Sequence, residues 1–275
     1  MHTFPGTIDR FIAEWELTPE GEAFRSTAAK LMPVRWRGLP AMLKVSTEDE
    51  ERTGHLLMRW WDGDGAARVY AHSDEAILLE RATGTRSLSD YAVNGRDDEA
   101  TRILCETVVR LHAPRETAPP ELIPLDRWFR ELWPVADSQG GLLARAAQTA
   151  RTLLADPREM RVLHGDIHHG NVLDFGERGW LAIDPKRLFG ERGFDYANIF
   201  CNPDIGAPES RVAIRPERFE RRLAIVCEAA GLEPRRQLQW ILAWAGLSAA
   251  WFLSDGVPPT VNLYIATLAA AALDR

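Results

Sequence analysis

Asp166 is followed by Asn171 five residues on and by Asp184 thirteen after that. The segment Arg161 to Asp184 reads as a short β-prone strand, Arg161-Val162-Leu163, then a polar loop bracketed by Gly165 and Gly170. Val172-Leu173-Asp174-Phe175 and Trp180-Leu181-Ala182-Ile183 then flank Gly176 to Gly179 as a hairpin. Two carboxylates and an amide oxygen, delivered from a loop and a strand end, can hold Mg²⁺ beside a hydroxyl. That is an inventory for phosphoryl transfer. Asp166 suits the group that accepts the hydrogen bond, and finally the proton, of an attacking hydroxyl. Asn171 and Asp184 suit the metal.

The phrases His164-Gly165-Asp166-x-His168-His169-x-Asn171, Trp180-Leu181-x-Ile183-Asp184-Pro185 and Gly193-Phe194-Asp195-Tyr196-Ala197-Asn198 resemble the catalytic segments of aminoglycoside phosphotransferases. These are relatives of protein kinases, and the likeness is greatest to the branch with streptomycin 6-phosphotransferases and hydroxyurea kinases. It is strong over 160–203 and compatible with the whole chain. The resemblance implies an α+β, two-lobed protein-kinase-like fold, with a sheet-rich nucleotide lobe over 1–82 and a mostly helical catalytic lobe over 83–275. It implies ATP and Mg²⁺, and transfer of the γ-phosphoryl group to a hydroxyl of a streptomycin-like antibiotic or of hydroxyurea. Lys44 would neutralise the α- and β-phosphates and pair with Glu51. Ser26 and Thr27 would lie in the turn over the phosphates, and Glu80 to Ala82 would form the hinge whose backbone meets adenine. His164 would brace the loop, His168 would line the substrate side, and Asp195 would hold the loop backbone from below. Pro185-Lys186 follows Asp184 where protein kinases have Phe-Gly, which argues for a site formed without an activation switch.

Other readings stay open. His164, His168 and His169 with Asp166 could form a zinc cluster. Gly165-Asp166 and Gly170-Asn171 also mimic metallophosphoesterase motifs, although no Asp-x-His lies upstream and Val172 follows Asn171. Another small metabolite, a sugar or amino alcohol, could be the acceptor. A kinase-like binding module without catalysis is disfavoured by the joint presence of Lys44, Asp166, Asn171 and Asp184.

The elements that must position these groups follow from periodicity. Ile8, Phe11, Ile12 and Trp15 share a helical face over 7–17. Lys30 to Arg35 and Pro40 to Val45 read as strands about Gly38, and Glu48 to Glu51 as an acidic helix start. Strands at 68–71 and 77–80 follow. Helices are expected at 97–113, 126–133, 142–154, 216–230, 234–253 and 259–273, with irregular chain from Asp184 to about Arg215. Trp240, Trp244 and Trp251 suit the core. Asp62-Gly63-Asp64-Gly65 lacks the later ligands of a calcium loop.

Composition sets the outer limits. A chain of 275 residues, 45% hydrophobic, can build one large domain or two lobes. The net charge of −7 argues against nucleic acid and agrees with a cationic small-molecule partner. Carboxylates of the C-terminal half, among them Glu191, Asp204, Glu209, Glu228 and Asp255, are candidates to meet it. Three cysteines without a pairing pattern point to a reducing cytoplasm. The first residues lack a signal-peptide pattern, and no apolar run is long enough for a membrane span.

Overall fold

A computed structural model describes residues 7–26, 29–46 and 49–275, without the side chains of Thr7 and residues 49–53. Its N-terminal region is a helix, α1 (Thr7–Glu14), followed by antiparallel strands β1 (Thr18–Pro19), β2 (Phe24–Arg25), β3 (Lys30–Trp36) and β4 (Leu39–Val45). Helix α2 (Asp49–Trp61) precedes β5 (Val69–His72) and β6 (Ala76–Glu80). The sheet order is β1-β3-β4-β6-β5, with β2 on the free stretch of β3. Side chains alternate across a strand. Ala41, Leu43 and Val45 therefore pack with Ala76, Leu78 and the Ile8 and Phe11 face of α1. Lys44, of opposite parity, falls on the other face, as do Ile77 and Leu79. A lysine inside an apolar strand is in this way sent toward the cleft by period two alone.

The C-terminal region begins with α3 (Leu88–Val93) and α4 (Asp97–Leu111). Then come β7 (Ile123–Pro124), α5 (Leu125–Trp128), a 3₁₀ turn at 129–131, α6 (Leu132–Gln139) and α7 (Gly141–Ala155). The catalytic segment supplies β8 (Met160–Leu163), β9 (Val172–Asp174), β10 (Trp180–Ala182) and β11 (Leu188–Glu191). Helices α8 (Gly193–Ala197), α9 (Pro216–Ala230), α10 (Pro234–Ser254) and α11 (Thr260–Leu273) complete the chain. The central helix is α10, with Trp240, Ile241, Leu242, Trp244 and Leu247 buried. Each such side chain contributes roughly 1.5–3 kcal/mol by leaving water. Among the described residues no helix is long and apolar enough to cross a membrane.

Three expectations needed correction. Helix α1 stops at Glu14, because Glu16 takes φ +53° and turns the chain into β1. The 126–133 helix is interrupted at 129–131 and then runs on to Gln139. Pro134 is tolerated there because it sits in the first turn of α6, where its missing N–H has no intrahelical partner to lose. The stretch after Asp184 is not all irregular: β11 pairs antiparallel with β8 and parallel with β7. Gly190 permits that strand, since a Cβ there would lie 2.3 Å from Leu125 Cδ1.

The two regions are joined along the cleft. Ala67 N–H donates to Ala182 O and Ala182 N–H to Gly65 O, each at 2.9 Å, around a parallel bridge between Ala66 and Ala182. Met58, Ala67, Ile77 and Leu79 from one side form a single apolar cluster with Phe175 and Leu181 from the other. Arg178 reaches across to Glu80 and to Gly63 O.

Candidate active site

β8 delivers the chain into the 164–171 loop, and β9 carries it away. A buried carboxylate holds the loop's first turn. Asp195, on the short α8, accepts from His164 N–H at 2.9 Å, from Gly165 N–H at 2.7 Å and from His112 Nε2 at 2.8 Å. Gly165 takes φ +87° and a Cβ there would lie 2.7 Å from Leu188, so the turn requires glycine. Burial keeps the His164 imidazole below its ordinary pKa, thus neutral. Its Nδ1 accepts from Asp166 N–H at 3.2 Å, which fixes the proton on Nε2, and Nε2–H donates to Ile183 O at 2.9 Å. One ring thereby ties the loop to the strand end before Asp184.

The loop brings Asp166 and Asn171 together. Asn171 Nδ2 donates to Asp166 O at 2.9 Å and to Asp166 Oδ2 at 3.1 Å, which leaves the amide oxygen for another partner. The other carboxylate oxygen, Oδ1, accepts from Asn198 Nδ2 at 2.9 Å. Asp166 keeps 32% of its side chain exposed. Asp184 lies across the site with φ +60°, a left-handed conformation that costs an aspartate on the order of 1–3 kcal/mol. Hydrogen bonds on both sides enforce it: Ile183 N–H to Asn171 O at 2.9 Å and Lys186 N–H to His164 O at 2.7 Å. Lys44, buried to 6% exposure, places Nζ 2.7 Å from Asp184 Oδ1. Gly54 lets α2 close on this segment, since a Cβ there would meet Pro185 O at 2.8 Å.

The remaining expected contacts divide. Glu51 lies in the first turn of α2, but its side chain falls outside the described residues, as does all of Thr27. Ser26 stands at the turn joining β2 to β3, and register puts that turn at the Val45 end of the sheet, beside Lys44. Its hydroxyl closes the turn, accepting from Ala29 N–H at 3.2 Å. The Glu80 side chain is held by Arg178 and by Arg68 N–H. Ala82, like Val69, Leu173 and Ile183, packs against the apolar cluster between the two regions. His169 has both ring nitrogens buried without a partner and is held neutral by burial and by the charge of Arg222. His168 Nδ1 accepts from Gly170 N–H at 3.1 Å. Among the described residues no three His, Cys, Asp or Glu side chains are grouped as a metal site.

A groove of about 1150 Å³ opens beside Lys186 and Arg187, immediately after Asp184-Pro185. Its walls come from α2, the β5–β6 turn, the α5 region and the end of α10, and its carboxylates are Asp74, Glu131 and Asp255. Trp128 and Trp251, edge to face at 5.7 Å, form part of the wall, whereas Trp240 and Trp244 are core. Two acids expected to face a ligand do not. Glu191 is buried under Arg236, Trp240 Nε1 and Arg158 N–H. Asp204 accepts from Ser210 Oγ, Val212 N–H and Ile214 N–H. Glu209 and Glu228 are exposed. Asn198 closes one of the phrases that carry the resemblance, whereas Asn202 and the groove-lining acids Asp74 and Glu131 carried no sequence signal, because no fixed spacing marks them.

The model of the aminoglycoside/hydroxyurea antibiotic resistance kinase family matches residues 14–256. A streptomycin 3''-kinase of Klebsiella pneumoniae is 55% identical over 242 residues, 88% of this chain and 91% of that protein. A streptomycin 6-kinase of Streptomyces griseus is 32% identical over 282 residues, 98% and 89% of the two chains. Among solved structures, an aminoglycoside phosphotransferase bound to ADP and hygromycin B shares the fold with a TM-score of 0.62 at 18% identity, over 98% of this chain and 96% of that one. A choline/ethanolamine kinase family protein from Mesorhizobium loti does so with a TM-score of 0.66 at 14% identity, over 98% and 95%. The chain therefore belongs to the aminoglycoside/hydroxyurea antibiotic resistance kinase family, on a protein-kinase-like fold, and is an ATP-dependent phosphotransferase.

Proposed function

We propose that this kinase phosphorylates the 3''-hydroxyl of streptomycin. The convergence of Asp166, Asn171, Asp184 and Lys44 on one cleft supports the reaction. The 55% identity to a streptomycin 3''-kinase, against 32% to a 6-kinase, favours the 3''-position. The lobes divide near Ala82, with the nucleotide between them and its adenine beside Ala82. Lys44 steadies the α- and β-phosphates, with Glu51 as its partner on α2. The Ser26–Thr27 turn lies over the phosphates, its shape held by Ser26, whose N–H donates to Ala29 O and whose hydroxyl accepts from Ala29 N–H. Asn171 and Asp184 offer oxygen donors only, a carboxylate and an amide, which suits a hard cation that keeps several waters. Bound Mg²⁺ would neutralise phosphate charge.

Asp166 orients the acceptor hydroxyl. As the new O–P bond forms, the bond from phosphorus to the bridging oxygen breaks and its electron pair leaves on ADP. The hydroxyl proton passes to Asp166 and then to solvent. Because the transition state is loose, positioning outweighs basicity. The acceptor brings its hydroxyl to Asp166. Its guanidinium and ammonium groups lose hydration on binding and need carboxylate partners in return; Glu131 and Asp255 of the neighbouring groove are candidates, set there among the basic Arg127, Arg130, Lys186 and Arg187.

The test is ADP release with streptomycin, hydroxyurea and neutral sugars at low and high salt, with the phosphate located by NMR. Streptomycin turnover is expected, with KM rising as salt screens the attraction between the chain's net charge of −7 and the cationic acceptor. Asp166→Asn should lower kcat by roughly 10²–10⁴-fold and leave ATP binding intact. Turnover confined to neutral sugars, or phosphate on another hydroxyl, overturns the acceptor assignment.

A further inference from the structure

Asp166 is clamped from two sides by amides, and one clamp has no part in metal binding. Asn198 Nδ2 donates to Asp166 Oδ1 at 2.9 Å. Asn202 Nδ2 in turn donates to Asn198 Oδ1 at 2.7 Å and to Asn198 O at 3.0 Å. The second contact fixes the sense of the first. With an N–H group against its oxygen, the Asn198 amide can present only its nitrogen to Asp166. A flipped amide would oppose oxygen to carboxylate on one side and donor to donor on the other.

The turn carrying both asparagines is itself pinned. Arg222 Nη1 donates to Ile199 O at 2.9 Å and to Asn202 O at 2.7 Å. Arg222 Nη2 is 2.6 Å from Asp97 Oδ1, and both partners of this ion pair are buried. A buried pair of this kind is a poor source of net stability but holds its surroundings in one geometry. Helices α4 and α9 therefore fix residues 199–202, and the amide relay carries that fixed position to the carboxylate.

We infer that Asn198 is a positioning residue for phosphoryl transfer and that Asn202 sets its orientation, so that the Asn202–Asn198–Asp166 relay tunes kcat without touching nucleotide. This rests on Asp166 as the hydroxyl-orienting group. Asn171 constrains the same carboxylate from the metal side, and Asn198 constrains it from the opposite oxygen. Together they leave the carboxylate plane one setting toward the acceptor. A positioning loss is costly out of proportion to the bond removed.

The experiment compares Asn198→Ala, Asn202→Asp, the double variant and Asp166→Asn. The readouts are kcat with streptomycin, KM for ATP and thermal midpoint. Asn202→Asp removes the donor that orients Asn198 and keeps the size of the side chain. Each single variant should lose roughly ten- to hundredfold in kcat with KM for ATP within about twofold. The double variant should be no slower than the worse single, since both break one relay. An inactive Asp166→Asn beside an Asn198→Ala protein of wild-type kcat overturns the relay alone, as does a multiplicative loss in the double. An active Asp166→Asn overturns the reading of the reaction on which the relay rests. Should Asn198→Ala fail to fold, Asn202→Asp decides by itself: wild-type kcat there refutes the inference, and a kcat loss at unchanged KM for ATP supports it.

Discussion

Replacing Asp195 by Asn tests how the catalytic loop is held. The carboxylate accepts Gly165 N–H on Oδ1, and His164 N–H with His112 Nε2 on Oδ2. An amide has one oxygen. If that oxygen takes the Oδ1 place, Gly165 is satisfied and the new NH₂ faces His164 N–H. If it takes the Oδ2 place, Gly165 N–H faces the NH₂. His112 can adapt, since its Nδ1 has no partner among the described residues and can take the proton from Nε2. The backbone cannot adapt, and one loop N–H is left buried and unpaired in either orientation. That costs about 1–3 kcal/mol, or roughly 2–5 °C of melting temperature for a chain of this size. The unpaired N–H belongs to the residues just before Asp166, so the loop shifts where geometry matters, and kcat should fall roughly 10–100-fold. Thermal melts and ADP-release kinetics measure both effects. Asp204→Asn is the control. That carboxylate also has three donors, among them Val212 N–H and Ile214 N–H, but all three lie at 210–214 and none on the catalytic loop. It should lower the melting temperature similarly and leave kcat within about twofold. Equal kcat losses in both variants, or none in Asp195→Asn, would refute the reasoning.

Two further outcomes follow from close contacts. Gly54→Ala places a Cβ 2.8 Å from Pro185 O, so α2 or the Asp184-Pro185 segment must move. The cost is about 1–3 kcal/mol of stability together with a several-fold higher KM for ATP, read by melts and ATP titration, and a wild-type result in both would show that the approach is slack. The bidentate Arg86 guanidinium, aided by Arg86 and Gly176 N–H, holds the Asp174 carboxyl at about 2, below its ordinary 3.8. A depressed carboxyl stabilises the fold above its unfolded value and loses that effect as pH falls toward the folded value. The melting-temperature gap between wild type and Arg86→Gln should therefore be widest near neutrality and close between about pH 4 and 2. A gap that is flat with pH would contradict the assignment.

The groups at the centre of the site were legible because their spacing is local. Asp166, Asn171 and Asp184 lie on one loop and the hairpin after it, and strand parity sends Lys44 to the cleft. The long helices declared themselves by periodicity, α4 and α9 to within two residues. Short elements did not. Leu88–Val93 hid in a polar stretch because one Ser87 cap and a six-residue turn leave little periodicity. Strand β11 hid behind Gly190, whose value lies in its closeness to Leu125. The acids were misjudged for a related reason. Glu191 and Asp204 look like surface charge until Arg236, Trp240 and the 210–214 backbone are folded against them. Asn202 likewise acquires meaning only when α4 and α9 fix its turn, and Asn198, though part of a recognisable phrase, shows its contact with Asp166 only there.

The stitch between the two regions also determines what this chain can exchange with its relatives. Phe175 and Leu181 complete their apolar cluster only with Met58, Ala67, Ile77 and Leu79, and Ala182 completes its backbone pairing only with residues 65–67. A break in the chain near Ala82 would uncover both halves of that cluster and leave backbone donors and acceptors without partners. The halves are in this sense two lobes in shape but one cooperative unit in folding. A lobe taken from a relative would have to bring a matched seam with it, so recombining lobes changes the seam as well as the site.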